Sequence, residues 1–257
     1  MIKAIFLDFD GTLYTHTNES LPKSAAYAIK EARKNGIKVF ICTGRSEVEL
    51  TWFDLGGLEF DGYIFNNGQV VIDTTGNVIY SNPIKGELKK ALVDLFIEKR
   101  LPVMICDIHD VYINTVNEHI KKVQADVGSE LPEIKDYTGE DFVMAAVYFN
   151  SEEDKEMLFK LDKYAEITYW HQGAVDIVPK GASKSSGIDE TIKILNIKIE
   201  ETMAIGDGNN DIEMLKHCGI GVAMGNSSED VKKVADYITD DVDHDGLYNA
   251  FKHFNLI

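Results

Sequence analysis

Short, mainly apolar runs punctuate this chain, and the clearest of them end in aspartate, threonine or glycine. Ile2 to Leu7, Ile37 to Cys42 and Thr202 to Ile205 are of this kind, with shorter runs at Ile220 and Tyr237. Apolar, β-branched runs bounded by turn residues are what a strand buried on both faces requires. Between them the spacing becomes helical. Ser20 reads as an N-cap and Pro22 falls in the first turn, and Ala25, Ala26, Ile29 and Ala32 then recur at helical intervals until Asn35-Gly36 stop the pattern. The last third alternates in the same way. A helix from about Ser185 to Leu195 precedes a strand at Met203, a helix from Asn210 to His217, a strand at Ile220, a helix from Ser228 to Ala235 and a strand at Tyr237. This alternation predicts an α/β fold with a parallel sheet and right-handed crossovers. Ligands of such sheets bind beyond the carboxyl ends of the strands, and Asp8, Thr43, Asn66 and Asp207 all fall at such ends.

The middle of the chain has another rhythm. Leu101 to Ile108 and Val111 to Asn114 predict a hairpin around His109-Asp110, and Ile167 to Trp170 and Val175 to Val178 predict another around His171-Gln172-Gly173. Phe142 to Phe149 reads as a strand, and Gly86 to Glu98, Asn117 to Asp126 and Ser151 to Leu161 read as helices. An α+β module inserted into the α/β unit accounts for this, with hinges at Pro83 and at Pro179-Lys180-Gly181.

Composition narrows the choices. At 257 residues the chain is long enough for a sizeable core, and 44% hydrophobic and 27% charged residues are ordinary globular values. A formal net charge of −17, with no Lys/Arg stripe, excludes nucleic acid as a partner, because counterion release requires a basic surface. The apolar start is broken by Asp8, too early for a membrane span, so no membrane partner is expected. Cys42, Cys106 and Cys218 lie in or beside apolar runs without metal-ligand spacing and read as core residues in a reducing compartment. A cytoplasmic protein, monomeric or weakly homo-oligomeric, is the simplest expectation.

Asp8 and Asp10 carry the first chemical signal. Residues two apart on a strand point the same way, so Ile5-Phe6-Leu7-Asp8-Phe9-Asp10-Gly11-Thr12-Leu13 projects two carboxylates together at a glycine turn. Like charges so placed call for a bridging cation or for a proton held on one of them. Thr43-Gly44-Arg45 closes the second strand, Pro179-Lys180-Gly181-Ala182-Ser183-Lys184 puts a lysine ahead of a helix, and Gly206-Asp207-Gly208-Asn209-Asn210-Asp211 follows the Met203 strand.

These four segments, in this order, resemble the motifs of the haloacid dehalogenase (HAD) superfamily of phosphatases. Phe65-Asn66-Asn67-Gly68, Gly221-Val222-Ala223-Met224-Gly225-Asn226 and Asp245-Gly246 extend the likeness to its Cof-type branch, subfamily IIB. The resemblance implies a Rossmann-like parallel-sheet core at 1-82 and 183-257, with an inserted α+β cap of the C2 type at 83-182. It implies a Mg²⁺-dependent phosphatase acting on small phosphorylated metabolites, sugar phosphates foremost, through an aspartyl phosphate. Asp8 would be the nucleophile and Asp10 the general acid and base. Asp8, the Asp10 carbonyl and Asp207 would hold the metal, with Asp211 either orienting a metal-bound water or steadying Lys184. Thr43, Lys184, the Phe9 and Gly44 amides and the Asn210 amide group would stabilise the phosphoryl oxygens. A phosphohexomutase-like phosphotransferase uses the same core and is the alternative activity.

Duller roles stand beside several of these. Thr43 could cap the next helix, Arg45 could pair with a core carboxylate, and Lys180 reads as structural because Lys184 better matches the motif spacing. Asp243 and Asp245 read as a charged loop, and Trp170 as cap core. His109 and His171 sit at the inferred hairpin tips, where substrate contact and plain exposure are both open readings.

Overall fold

Ile5, Phe6 and Leu7 are fully buried, so the first apolar run is covered on both faces, as a central strand of an α/β sheet must be. The computed structural model describes residues 1–257. It opens with β1 (Ala4–Leu7), α1 (Lys23–Lys34), β2 (Lys38–Cys42), α2 (Glu47–Leu50), β3 (Gly62–Phe65), β4 (Val70–Asp73) and β5 (Val78–Ser81). Next come α3 (Gly86–Glu98), β6 (Val103–Cys106), β7 (Val111–Ile113), α4 (Glu118–Asp126), β8 (Glu133–Ile134), β9 (Met144–Tyr148), α5 (Glu152–Phe159), β10 (Ala165–His171) and β11 (Ala174–Pro179). The chain closes with α6 (Lys184–Leu195), β12 (Thr202–Gly206), α7 (Ile212–His217), β13 (Ile220–Ala223), α8 (Glu229–Lys232), β14 (Tyr237–Ile238) and α9 (Gly246–His253).

Two compact units result, Met1–Gly44, Asp54–Tyr80 and Lys184–Ile257 in one, Arg45–Phe53 and Ser81–Ser183 in the other. The segment 45–53 therefore departs from the expected division, which left it in the core. Its contacts explain why. Arg45 donates to the Ser129 hydroxyl at 2.6 Å and to the Val127 carbonyl at 3.3 Å, and Val48 packs on an apolar cluster containing Met104, Ile120 and Val123.

In the first unit the strand order is β14-β13-β12-β1-β2-β3-β4-β5. Pairing is parallel from β14 through to β3. Phe6, Phe40 and Ile64 face Ile188 and Ile192 of α6 and Met214 and Leu215 of α7 in one buried cluster. The parallel core ends at one edge, where β4 runs antiparallel to β3. The link Asn66–Gly68 is a single tight turn with Asn67 at φ 52°, far too short for the crossover that a parallel pair needs. Two helix ends also differ from the sequence reading. Ser20 pairs with Thr15 and leaves Pro22 as the residue before α1, while α8 stops at Lys232, where the Val234 amide bonds the Val231 carbonyl and tightens the turn.

The second unit holds a sheet of order β10-β11-β9-β6-β7-β8, and both expected hairpins form in it. Its strands read as continuous apolar runs because both faces are covered. Val103, Ile105, Ala145 and Val147 lie in one cluster with Leu92, Phe96 and Leu158, while Met104, Cys106, Ala146 and Tyr148 lie in another with Ile120 and Val123.

One buried side chain binds this unit's backbone together. Asn114 accepts from the Val103 amide at 3.0 Å and donates to the Phe96 and Leu101 carbonyls at 2.9 and 3.0 Å. Replacing it by alanine strands three buried backbone groups, each costing about 1–3 kcal/mol when unsatisfied. Asn114→Ala should therefore lower the urea midpoint by an amount corresponding to about 3 kcal/mol or more. A midpoint within error of wild type would show that the network carries no such weight.

Candidate active site

The Asp8 amide donates to the Ile205 carbonyl at 2.9 Å, so the end of β1 is locked beside the end of β12 and the residues after each strand emerge together. The chain then turns at Gly11, whose φ is +77° and where a Cβ would lie 2.5 Å from Asp207 Oδ2. Only glycine meets both demands. Likewise a side chain at Gly206 would collide with the Asp211 carboxyl.

Lys184, the first residue of α6, is fully buried. Its Nζ donates to Asp8 Oδ1 at 2.5 Å and to Asp211 Oδ1 at 2.6 Å. Asp211 Oδ2 accepts from the Asp207 and Gly208 amides at 2.9 and 2.8 Å, which folds the turn after β12 around it. Asp207 is braced on both oxygens, accepting from the Thr12 hydroxyl at 3.0 Å and from Asn226 Nδ2 at 3.1 Å. Asn226 also donates to the Gly11 carbonyl at 2.9 Å, joining the two turns.

Carboxylate oxygens of Asp8, Asp207 and Asp211 lie within 4.8 Å of one another, a grouping able to hold a metal ion. Three carboxylates face one ammonium, and burial and neighbouring charge displace the proton affinities of Asp8, Asp207 and Lys184. Burial and then Asp211 raise the Asp8 carboxyl well above its ordinary value despite Lys184. Burial and Asp211 push Asp207 up to about 7. Burial alone would lower Lys184, but the Asp211 and Asp8 carboxylates outweigh it and hold the ammonium above its usual range. An all-oxygen set with excess negative charge suits a hard divalent cation.

Asp10 is not a second bare anion beside Asp8, because its Oδ1 sits 2.7 Å from His16 Nε2. Thr43 is buried, its amide donating to the Ile64 carbonyl and its carbonyl accepting from the Asn67 amide. It is not a helix cap, since Ser46 caps α2 in a capping box with Glu49. The Phe9 ring is buried and stacked on Tyr14 at 5.3 Å. Gly44 follows Thr43 at the end of β2, and Asn210 Nδ2 donates to Asn67 Oδ1 at 3.2 Å.

The remaining candidates have contacts of their own. Arg45 stacks on Phe53 and donates to the Ser129 hydroxyl. His109 Nδ1 meets Glu47 at 3.1 Å, and His171 meets Asp126 at 3.4 Å while its Nδ1 accepts from the Gly173 amide. Trp170 packs edge-on against Tyr148, Lys180 pairs with Glu166, and Asp243 accepts from Thr15 and Asn18. Three residues given no role from the sequence contribute contacts here: Thr12 and Asn226 brace Asp207, and His16 meets Asp10. Thr12 and Asn226 stood inside recognisable motifs, whereas His16 in a polar loop carried no signal.

A family model for haloacid dehalogenase-like hydrolases matches residues 5–251. YkrA of Bacillus subtilis (strain 168), provisionally named a phosphatase, is 34% identical over 99% of this chain and 98% of its own. A solved HAD-superfamily phosphatase from Bacteroides thetaiotaomicron is 34% identical with a TM-score of 0.89, covering 100% of this chain and 96% of that one. A solved sugar phosphatase of HAD subclass IIB is 37% identical with a TM-score of 0.88, covering 99% of this chain and 100% of that one. No helix here is long and apolar enough to cross a membrane. With its acidic cluster, buried lysine and sheet order in place, the chain belongs to the haloacid dehalogenase-like hydrolases as a Cof-type phosphatase, an enzyme acting on phosphate esters.

Proposed function

We propose that this chain is a Mg²⁺-dependent phosphomonoesterase for small phosphorylated metabolites, sugar phosphates foremost, working through an aspartyl phosphate on Asp8. The observation that carries the reading is the buried Lys184 ammonium shared between Asp8 and Asp211, with Asp207 alongside. A structural ion pair needs one carboxylate for one lysine, and a third held open by Thr12 and Asn226 has no structural use. The sugar-phosphate preference is supported by the likeness to the subclass IIB sugar phosphatase over nearly the whole chain.

Roles follow from the contacts. Lys184 Nζ holds Asp8 Oδ1, which orients the carboxylate and leaves its other oxygen to attack phosphorus. Asp211 accepts three donors and thereby serves as the anchor of Lys184 and of the turn at Gly208 rather than as an open ligand. Asp8, Asp207 and the Asp10 carbonyl would hold the Mg²⁺, which when bound offsets the charge of a phosphate dianion beside these carboxylates. Asp10 gives a proton to the leaving oxygen as the bond from phosphorus to that oxygen breaks. It later takes a proton from the water that hydrolyses the aspartyl phosphate. Thr43, Lys184, Asn210 and the Phe9 and Gly44 amides bind the phosphoryl oxygens as these gain charge.

Purified protein with Mg²⁺ should release phosphate from aryl and sugar phosphates, and chelator should abolish the release. Asp8→Asn should lower turnover by roughly 10⁴-fold or more, the scale of losing a nucleophile, and should remove the covalent intermediate. No turnover across a broad phosphomonoester panel with excess Mg²⁺ would overturn the reading, as would near-normal turnover in Asp8→Asn.

Charge imbalance also makes metal binding visible without activity. Because the folded value of Asp207 is raised to about 7, its contribution to stability is present at low pH and is lost as pH rises through that value. A cation takes the place of the proton, so added Mg²⁺ should raise Tm more at pH 8 than at pH 5.5. Thermal scans showing equal shifts at both pH values would contradict this account.

A further inference from the structure

We infer that His16 is a positioning residue for the proposed reaction, fixing the Asp10 carboxyl in the orientation from which it protonates the leaving group. The inference rests on the acid and base role proposed above for Asp10. His16 Nε2 lies 2.7 Å from Asp10 Oδ1.

A surface ion pair between two flexible side chains fixes little. This one is held differently. The His16 ring meets Tyr14 edge-on at 5.5 Å, and Tyr14, itself buried, is stacked on the buried Phe9 ring at 5.3 Å. The backbone between Asp10 and His16 is equally constrained. The Gly11 amide bonds the Tyr14 carbonyl, the Tyr14 amide bonds the Phe9 carbonyl, and Thr15 and Ser20 exchange both of their backbone hydrogen bonds. On the far side of the loop, the Thr15 hydroxyl and Asn18 Nδ2 donate to Asp243 Oδ1 at 2.5 and 3.1 Å. The imidazole is thus braced through its own backbone, an aromatic stack and an anchored loop. All three ends of the brace lie in the unit that holds Asp8.

The chemical consequence concerns which carboxyl oxygen does what. In the tautomer protonated at Nε2, His16 donates to Oδ1, so the transferable proton of Asp10 belongs on Oδ2. During the first step the bond from Asp8 to phosphorus forms and the bond from phosphorus to the leaving oxygen breaks. The Oδ2 proton passes to that oxygen and leaves Asp10 as a carboxylate. In the second step the oxygen of a water bonds to phosphorus, the bond from phosphorus to Asp8 breaks, inorganic phosphate leaves, and the proton lost by the water passes to Asp10, which restores the starting state. Engaging Oδ1 favours the orientation in which Oδ2 is the oxygen that transfers the proton, and misorientation of a reacting group is costly in rate.

The test measures kcat/KM, which covers steps up to the covalent intermediate, for phosphate esters ranging from 4-nitrophenyl phosphate to a hexose 6-phosphate. The nitrophenolate leaves without a proton, whereas the sugar alkoxide requires one. His16→Ala should lower kcat/KM for the sugar phosphate by about 10-fold or more, within the range that acid catalysis supplies, and by under about 3-fold for the aryl phosphate. His16→Gln, which keeps an N–H donor, should recover most of the loss. The same series in Asp10→Asn separates the two ideas. If Asp10→Asn loses activity selectively on the poor leaving group while His16→Ala loses it uniformly or not at all, the positioning role is wrong and the acid role stands. If Asp10→Asn is itself uniform across the series, the acid role falls and this inference falls with it. Failure of His16→Gln to recover the loss would rule out the hydrogen bond as its cause.

Discussion

Everything at the carboxyl edge of the sheet depends on one buried ammonium. Lys184 has no exposed surface, and a lysine so placed is stable only when its charge is matched and its protons are bonded. Asp8 and Asp211 supply that match from the ends of two different strand-turn segments, so the ion pairs dictate that β1, β12 and the start of α6 converge. The convergence in turn demands backbone without side chains at Gly11 and Gly206, where any Cβ would strike Asp207 or Asp211. Charge pairing and glycine placement are thus one constraint, seen once as electrostatics and once as sterics.

Strand order explains why the convergence happens there. β1 has β2 on one side and β12 on the other, so the chain builds outward from β1 in one direction early and in the opposite direction late. Loops after β1 and β12 therefore diverge to opposite faces of the sheet and leave a crevice at their origin, where open parallel sheets bind ligands. Asp8 and Asp207 are the residues that follow β1 and β12 at that point, and their carboxylates lie together. Thr43 follows the next strand outward, and the tight turn at Asn66–Gly68 closes the row by sending β4 back antiparallel.

The sequence made β1, β2 and β12 legible because buried parallel strands are apolar throughout and each ends in a polar motif. Helices α3 and α6 were legible from periodicity to within a residue. What escaped shares a physical cause, dependence on tertiary partners. The antiparallel edge follows from a three-residue turn whose Asn-Asn-Gly reads equally well as a loop before a crossover. Arg45–Phe53 joins the second unit through Ser129 and Val127, more than seventy residues away, and no local pattern encodes that distance. In the site, Asp8, Asp10, Asp207, Asp211 and Lys184 were visible because they sit in motifs. The groups that hold them still were less so: Asn226 reaches Asp207 across nineteen positions, and His16 reaches Asp10 from a loop with no periodicity.

A chain carrying a formal charge of −17 is a poor attractor for a phosphate dianion, and that imposes an order on binding. Within the site, three carboxylates, once ionised, against one ammonium leave two negative charges, the amount that a single divalent cation neutralises. Before that neutralisation the dianion meets net repulsion in a poorly screened environment, where like charges a few ångströms apart interact strongly. Afterwards Lys184 is no longer spent wholly on offsetting its neighbours, and its charge becomes available to an incoming phosphoryl group. Metal first and phosphate second is therefore what the charge balance favours on the proposed reading. On the proposed reading the same balance lets the protein remain acidic overall while handling anionic substrates, because the positive charge of Lys184 is local and buried and a bound cation would complete it.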